Sequence, residues 1–533
     1  MPELTFDAPA ALTTLTRLVQ RRPDQLWRLK KALSGRLEYL ADVALNVAVE
    51  TGGPIGGVLA EVIENEESID LVELILTRFD ESSYRDSAAL FNAVLASTQR
   101  ALRHRQESTA ADNEEHITEI ARLANNMSFS LSRLGRQEEA CEVAQRAVEA
   151  LRNLLWGSPE REYQLAVSLS NLGVVESNLG NYEGARLATE EAVQISRGLA
   201  EKRAVEMAPV LAQSLTNLGS IAFSSGSGEK ALEATREAVE ILQRSADVDP
   251  GAVRELARSL NNLGAILRSL GRFDEALEVT SRGLNLRRSL AESRPDIFLA
   301  DLAASLQNLT STLREQESRQ EEALKAIQEA VAIRRLAAQR LEAALPDLAE
   351  SLEELAATLL EARERGEEAL AVIQEAVDIR RQITARGPVV STLLDLVDSL
   401  GTLATSHFEV GERETALRVL MESLDILRGT EAQRFAEAAD RLRAVLERLT
   451  AILEAPDPTS DSTMRIASLE HAIRSITFFF HKQPLIFADP MNTALLTYLA
   501  TLLRVGRQPD RELLRPIIQA VEKELLGGSS SPL

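Results

Sequence analysis

A block reading Asn-Leu-Gly, then a turn, then Glu-Ala, returns along this chain at a near-constant interval. Its clearest copy is Ser259-Leu260-Asn261-Asn262-Leu263-Gly264, followed by Gly271-Arg272-Phe273-Asp274-Glu275-Ala276. The equivalent anchors are Asn126, Asn171, Asn217, Asn262, Asn308, Glu354 and Thr402, separated by 45, 46, 45, 46, 46 and 48 residues. A fixed period of this size marks a solenoid. At 533 residues the chain is too long for one compact core. Repetition removes that limit, because each unit buries its apolar face against its neighbours alone.

Each period reads as two helices. Leu256, Leu260, Leu263, Ile266, Leu267 and Leu270 recur at helical spacing, and Gly271 supplies a C-terminal turn. Asp274 and Glu275 follow, where the dipole of a new helix favours negative charge. Ala276, Leu277, Val279, Leu284 and Leu286 form a second stripe, with Arg287 and Arg288 near its C-terminal part. The fold class is therefore all-α, built from antiparallel helix pairs. Pro159, Pro209, Pro250, Pro295, Pro346 and Pro388 are expected upstream of first helices, where a missing N–H costs nothing, and none inside a repeat helix.

With these residues in place, the block resembles the tetratricopeptide repeat. Its small-residue column holds Gly173, Gly219 and Gly264, then Ala356 and Ala404. Its second-helix alanine is Ala140, Ala185, Ala231, Ala276, Ala323, Ala369 and Ala416. The tryptophan typical of the first helix is replaced by aliphatic residues, and the period exceeds the usual one of about 34 residues. Both departures resemble the longer kinesin-light-chain subtype. The resemblance covers about residues 117–430 and implies a right-handed superhelix, with helical caps at both ends.

The expected organisation is an N-terminal helical region or cap at 1–116, about seven repeats at 117–430, a helix and linker at 431–462, and a C-terminal helical region with a flexible tail at 463–533. Helices are expected over Leu26–Val49 and Ile69–Phe79, broken by Gly52-Gly53-Pro54-Ile55-Gly56-Gly57. Asp457 to Ser462 reads as a linker. Ile476-Thr477-Phe478-Phe479-Phe480 is the richest aromatic cluster, and Leu495 to Leu525 reads as a worn repeat turning at Gly506.

Charge narrows the partners. The net charge of −22 disfavours direct contact with nucleic acid, leaving room for local basic patches. Arg outnumbers Lys 52 to 7, which reads as a GC-rich, bacterial base composition rather than as selection for bidentate contacts, since so general a bias follows no one face. Cys141 is the only cysteine, so no internal disulfide forms. The N-terminus lacks the basic and apolar regions of a leader, and no stretch of some 18 apolar residues occurs. A soluble, cytoplasmic protein is expected.

The search for chemistry finds little. Gly52–Gly57 lacks the lysine and spacing of a phosphate loop, and Ser225-Gly226-Ser227-Gly228 lies where the repeats place a turn. Cys141 falls in the column of Leu232, Leu277, Leu324, Leu370 and Leu417, which makes it a small buried hydrophobe rather than a nucleophile. His407 shares a column with Leu131, Leu267, Leu313 and Leu359. His471 and His481 lack the spacing that puts two metal ligands on one helix face. No catalytic residue, metal or cofactor is assigned.

One constellation fits binding. In tetratricopeptide arrays the first helices line the concave surface, and the resemblance carries the groove-facing Asn onto Asn126, Asn171, Asn217, Asn262 and Asn308. The same face is expected to carry Arg122, Asn125, Arg258, Asn261 and Arg268. Amides both donate and accept, so such a ladder reads a peptide backbone without regard to sequence, and Arg grips carboxylates. Alternatively these Asn residues tie neighbouring helices together. Glu354 and Thr402 break the ladder after the fifth repeat.

The preferred reading is a non-enzymatic scaffold or adaptor that holds a partner protein segment in its groove. By resemblance alone, similar bacterial arrays accompany signalling NTPases and caspase-like proteases of stress and antiviral systems, which suggests an inhibitor or recruiter. The alternatives are an enzyme whose small catalytic unit lies at 1–100 or 463–533, with His471, His481 and the Phe cluster as its material, and a nucleic-acid-responsive regulator.

Overall fold

The computed structural model describes residues 8–51, 54–79, 90–107, 114–154, 158–246, 250–340, 344–362, 365–386, 390–429, 435–455, 462–480 and 484–527. Among these described residues there are 24 α-helices and no strand. The all-α class follows from the apolar spacing, and it is what is found. Two compact units divide the chain, Met1–Ala343 and Ala344–Leu533.

The first unit opens with α1 (Ala8–Arg21), α2 (Leu26–Leu33), α3 (Leu37–Thr51), α4 (Pro54–Glu64), α5 (Ile69–Phe79) and α6 (Phe91–Glu107). Five helix pairs follow: α7 (Glu114–Arg133) with α8 (Gln137–Arg152), α9 (Pro159–Asn178) with α10 (Tyr182–Lys202), α11 (Ala204–Ser224) with α12 (Gly228–Ala246), α13 (Pro250–Ser269) with α14 (Phe273–Ser293), and α15 (Pro295–Arg314) with α16 (Gln320–Arg340). The second unit continues with α17 (Leu345–Glu361) and α18 (Gly366–Arg386), then α19 (Val390–Glu409) and α20 (Arg413–Gly429). It ends with α21 (Phe435–Glu454), α22 (Ser462–Phe480), α23 (Pro484–Val505) and α24 (Arg511–Gly527). The seven pairs expected from the anchors are all present.

One turn chemistry joins the helices of a pair. Gly271 takes φ +72°, its N–H donates to Arg268 O at 3.0 Å, and Arg272 N–H donates to Leu267 O at 2.9 Å. This double bond caps the orphan carbonyls of α13 and needs a left-handed residue, which glycine supplies without strain. Gly135, Gly180, Gly226 and Gly411 repeat it, and so does Gly506 between α23 and α24.

The small columns set the spacing within a pair. All seven second-helix alanines, from Ala140 to Ala416, are fully buried. A Cβ added at Gly173, Gly219 or Gly264 would lie 2.1 Å from the Oγ1 of Thr189, Thr235 or Thr280. Glycine and threonine therefore interlock in repeats two to four, allowing the close approach that small contact residues permit.

Several expectations need correction. Pro209 lies inside α11, which begins at Ala204. Proline there removes a single donor, while Met207 N–H still reaches Arg203 O at 3.0 Å, so the helix starts before it. The helix expected over Leu26–Val49 is two, divided where Gly35 takes φ +68°. The expected break at 52–57 does separate α3, ending at Thr51, from α4, starting at Pro54, but Gly56 and Gly57 belong to α4, with Gly56 buried. Gly52, Gly53, Pro388, His481 and Asp457 to Asp461 lie outside the described residues, as does the tail beyond Gly527. No helix among the described residues is long and apolar enough to cross a membrane.

Candidate functional site

The first unit has two walls of different density. First helices of successive repeats touch directly, α7 with α9, α9 with α11, α11 with α13 and α13 with α15, whereas second helices stand farther apart. The array must therefore curve with its first helices inside. In agreement, α3 reaches α15, a first helix four repeats beyond α7.

Side-chain length follows this difference. Three residues before each anchor from the second repeat onward stands a buried serine: Ser168, Ser214, Ser259, Ser305, Ser351 and Ser399. Ser214 Oγ lies 3.0 Å from Ser170 Oγ, and Ser259 Oγ lies 2.8 Å from Thr216 Oγ1, each bond joining adjacent first helices. Sequence reasoning missed this column, although a serine recurring six times at the repeat period was visible. Ser170 and Thr216, each the residue before its anchor, complete these two bonds, and at the same position of other repeats stand Asn125 and Asn261, which were expected on the binding face. Asn125 is instead 4 % exposed, and neither its Oδ1 nor its Nδ2 has a partner among the described residues.

The outer wall uses long side chains. Arg152 pairs with Glu191, Arg197 with Glu237 at 2.7 Å and Arg288 with Glu329 at 2.7 Å, in each case from one second helix to the next. Arg381 and Glu422 repeat the pair in the second unit at 2.8 Å. A further column opens the second helices. Arg136 grips Glu139, Arg272 grips Glu275 and Arg319 grips Glu322 through Nε and Nη2, which lowers the pKa of Glu139 and Glu322. A third column is buried. Arg287 pairs with Asp301 at 2.7 Å, and Arg380 pairs with Glu353 at 2.9 Å and Asp395 at 3.3 Å. Burial lowers the Arg287 pKa despite Asp301, whereas at Arg380 the two carboxylates outweigh burial and raise it. These nine arginines thus occupy three repeat columns, and those that open second helices hold their glutamate through two nitrogens, a geometry that lysine cannot supply.

The anchor ladder lies on the first helices. Asn126, Asn171, Asn262 and Asn308 are half-buried, and Asn217 is 7 % exposed. Two rungs are tied to neighbours: Asn262 Nδ2 donates to Ser220 Oγ at 3.1 Å, and Arg258 Nη1 donates to Asn217 Oδ1 at 3.5 Å. The side-chain amides of Asn126, Asn171 and Asn308 bond to no described residue. Arg122 and Arg258 already hold Glu119 and Glu255, at 2.9 and 2.8 Å, so a guest carboxylate would have to displace a resident one. Arg268 is half-buried near the end of α13. A cleft of about 740 Å³ opens between α6, α7 and α9, lined among others by Arg105, His116, Glu119, Arg122 and Gln164.

The residues weighed for catalysis take other roles. Cys141 is buried, with Glu176 Oε1 3.5 Å from its Sγ, and burial followed by that carboxylate pushes its pKa to about 11. A thiol held so firmly protonated is a poor nucleophile. His407 Nδ1 lies 2.8 Å from Glu412 Oε2 across the Gly411 turn. Phe479 stacks on Phe487 with centroids 5.1 Å apart, and Phe480 is buried, so the aromatic cluster is core there. His471 Nε2 faces Asp425 at 3.1 Å.

Comparison with known proteins decides what this register is. Residues 165–200 and 210–289 match two family models, each described as tetratricopeptide repeat. These are tetratricopeptide repeats. Their 45–46-residue period and the helices of 20 or 21 residues in repeats two and four resemble the long, kinesin-light-chain-like subtype. Residues 269–342 also match the model for anaphase-promoting complex subunit 5. Among solved structures, the tetratricopeptide array is similar to BtubC (BKLC) from P. vanneervenii, at 20 % identity over 46 % of this chain and 92 % of that one, with a TM-score of 0.38. It is also similar to the apo form of RapI, at 13 % identity over 73 % and 100 % of the two chains, with a TM-score of 0.45. Kinesin-light-chain TPR-like repeats from P. anserina match at 20 % identity over 43 % and 100 %, with a TM-score of 0.33. No curated protein matches the chain. Tetratricopeptide repeats are protein-interaction modules, which supports a role in protein–protein interaction for this chain.

Proposed function

We propose that the inner wall of the first unit holds a segment of a partner protein, making the chain an adaptor that restrains or delivers that partner. One observation carries the reading. Asn126, Asn171 and Asn308 occupy one register position, stay half-buried, and keep side-chain amides that no described residue uses. A half-exposed amide can donate to and accept from a peptide backbone, and a repeated row of them grips an extended chain whatever its side chains. The rungs at Asn217 and Asn262 serve differently: they hold the wall together, so the alternative role applies to them. The partner class implied by the resemblance, a caspase-like protease or an NTPase, is the first to try.

The test is a peptide-display selection against the full chain, with affinities of the selected peptides measured by calorimetry. Asn171→Ala with Asn308→Ala should weaken binding by roughly ten- to a hundredfold, as two hydrogen bonds of about 0.5–1.5 kcal/mol each are lost. Unfolding temperature should not change. Selected peptides that bind the double variant as tightly as the parent would overturn the groove reading.

A further inference from the structure

The helices before the array carry an unusual arrangement of charge. Residues 17–36 hold seven Lys or Arg and a single acid, Asp24; residues 37–77 hold nine Asp or Glu and no Lys or Arg. In the array, arginines find partners at fixed repeat positions. Here they do not. Arg17, Arg21, Arg28, Lys31 and Arg36 are exposed and form no ion pair with a described residue. On the acidic side, Glu38, Glu64, Glu67 and Asp70 are equally exposed and unpaired among the described residues. One internal link joins the two sets, Lys30 to Glu61 at 2.7 Å.

Two large aromatic residues stand beside these charges. Trp27 is 56 % exposed and Tyr39 is 79 % exposed. On α2, Leu29 and Leu33 point into the core, which turns Trp27 and Lys31, one helical turn apart, to the outside. Arg28 lies over the Trp27 ring, 5.4 Å from its centre. On α3, Ala44, Leu45 and Ala48 are buried, which turns Tyr39 outward. Trp, Tyr and Arg are the residues that dominate the energetics of protein interfaces. Leaving this many outside, with their charges uncompensated, marks a surface that something covers.

We propose that it is covered by a second copy of the chain, related by a twofold axis, so that the basic segment of one copy lies on the acidic segment of the other. The argument is charge complementarity. A nucleic acid or an anionic membrane attracted by the cations would meet the exposed carboxylates of Glu38, Glu64, Glu67 and Asp70, none of them in an ion pair with a described residue. A basic partner would meet the reverse. A second copy presents both signs in the order that fits, because an isologous contact is self-complementary. Trp27 and Tyr39 then supply the apolar contact at its centre. The surface precedes the repeats and uses none of the groove residues, so the inference stands apart from the groove reading.

Sedimentation of the full chain over a concentration series tests it. The expected result is a dimer whose dissociation constant rises at least about tenfold between low and high salt, since exposed charges are screened. Arg28→Glu with Lys31→Glu should weaken it about tenfold or more, and Glu38→Lys with Glu67→Lys should do the same. Mixing the two charge-reversed proteins should restore association as a heterodimer, a result that damage to the fold would not give. Trp27→Ala should weaken the dimer with no change of charge. A parent protein that is monomeric throughout, or a dimer that survives both reversals, overturns the proposal. So would binding of an oligothymidylate or of phosphatidylserine vesicles to a monomeric parent, lost on Arg28→Glu with Lys31→Glu, since the patch would then serve a polyanion.

Discussion

The two walls of the first unit solve one problem with opposite means. Inside, first helices approach closely and are stitched by hydroxyls, as at Ser170 with Ser214 and Thr216 with Ser259. Outside, second helices stand apart and are spanned by arginine and glutamate, as at Arg197 with Glu237. A serine reaches one bond from its Cβ, an arginine five. Curvature is therefore written in side-chain length, repeat after repeat. The inner bonds are buried and rigid; the outer pairs are exposed, and such pairs contribute little. The second unit keeps the register but changes the chemistry inside: Ser399 Oγ donates to the Glu353 carboxylate, and Arg380 bridges Glu353 and Asp395.

The comparison breaks most directly at an inner stitch. Ser259 is fully buried, and Ser259→Leu forces a larger side chain between two first helices while removing the Thr216 contact. A loss of about 3 kcal/mol is expected from overpacking, with a more open array by small-angle scattering. Unchanged stability and dimensions would mean that the inner wall does not set the curvature.

Next comes the interlock within a pair. Gly264→Ala places a Cβ 2.1 Å from Thr280 Oγ1 and should cost roughly 1–3 kcal/mol in denaturant unfolding. Adding Thr280→Ala should return most of that loss, because the clash is with this one side chain. If the double variant stays as unstable as the single one, the interlock is misplaced.

The ionic inner wall of the second unit should respond to pH where the hydroxyl wall does not. Asp398 on α19 is held by Arg441 at 3.1 Å, yet burial outweighs that pairing and raises its pKa. A raised carboxyl pKa means that the folded state prefers the protonated acid. The contribution of Asp398 is then fully present below its unfolded pKa of about 3.9 and is lost as pH rises through the higher folded value. Asp398→Asn should therefore raise the unfolding temperature slightly at pH 7 and leave it unchanged near pH 3, by calorimetry. A fall at pH 7 would show the Arg441 pair to be the stronger influence.

The smallest effect is expected on the outer wall. Arg197→Gln should cost less than about 1 kcal/mol, and less again at high salt, because both partners are half-exposed. A larger, salt-independent loss would mean that the outer pairs act as structural ties like the hydroxyls inside.

Much of this was legible before any coordinates. The repeat period located seven helix pairs, and Gly271 and its counterparts ended the first helix of each repeat that has one, because a left-handed turn has few other residues to choose. Ala276 and its column were placed in the core for the same reason of size. The Cys141 column of leucines gave its burial. What misled were residues with more than one permitted role. Pro209 is tolerated within the early turns of α11, and Gly56 is tolerated inside α4, since packing outweighs propensity there. The anchor asparagines could bind a guest or a neighbour, and nothing in a single sequence separates the two.

Periodicity by itself determined the helices, their pairing and their turns, because those depend on residues near one another in the chain. Which faces of successive repeats meet depends on contacts about 45 residues apart. Only the tertiary structure decided that Asn217 and Asn262 bond across repeats while the amides of Asn126, Asn171 and Asn308 bond to no described residue. Only it decided that arginines fall into three columns with carboxylate partners set by the rotation between repeats. The sequence repeats each side chain; the angle at which one repeat stacks on the next selects which of them touch, and that angle is set by packing across the whole buried interface, not by any one residue.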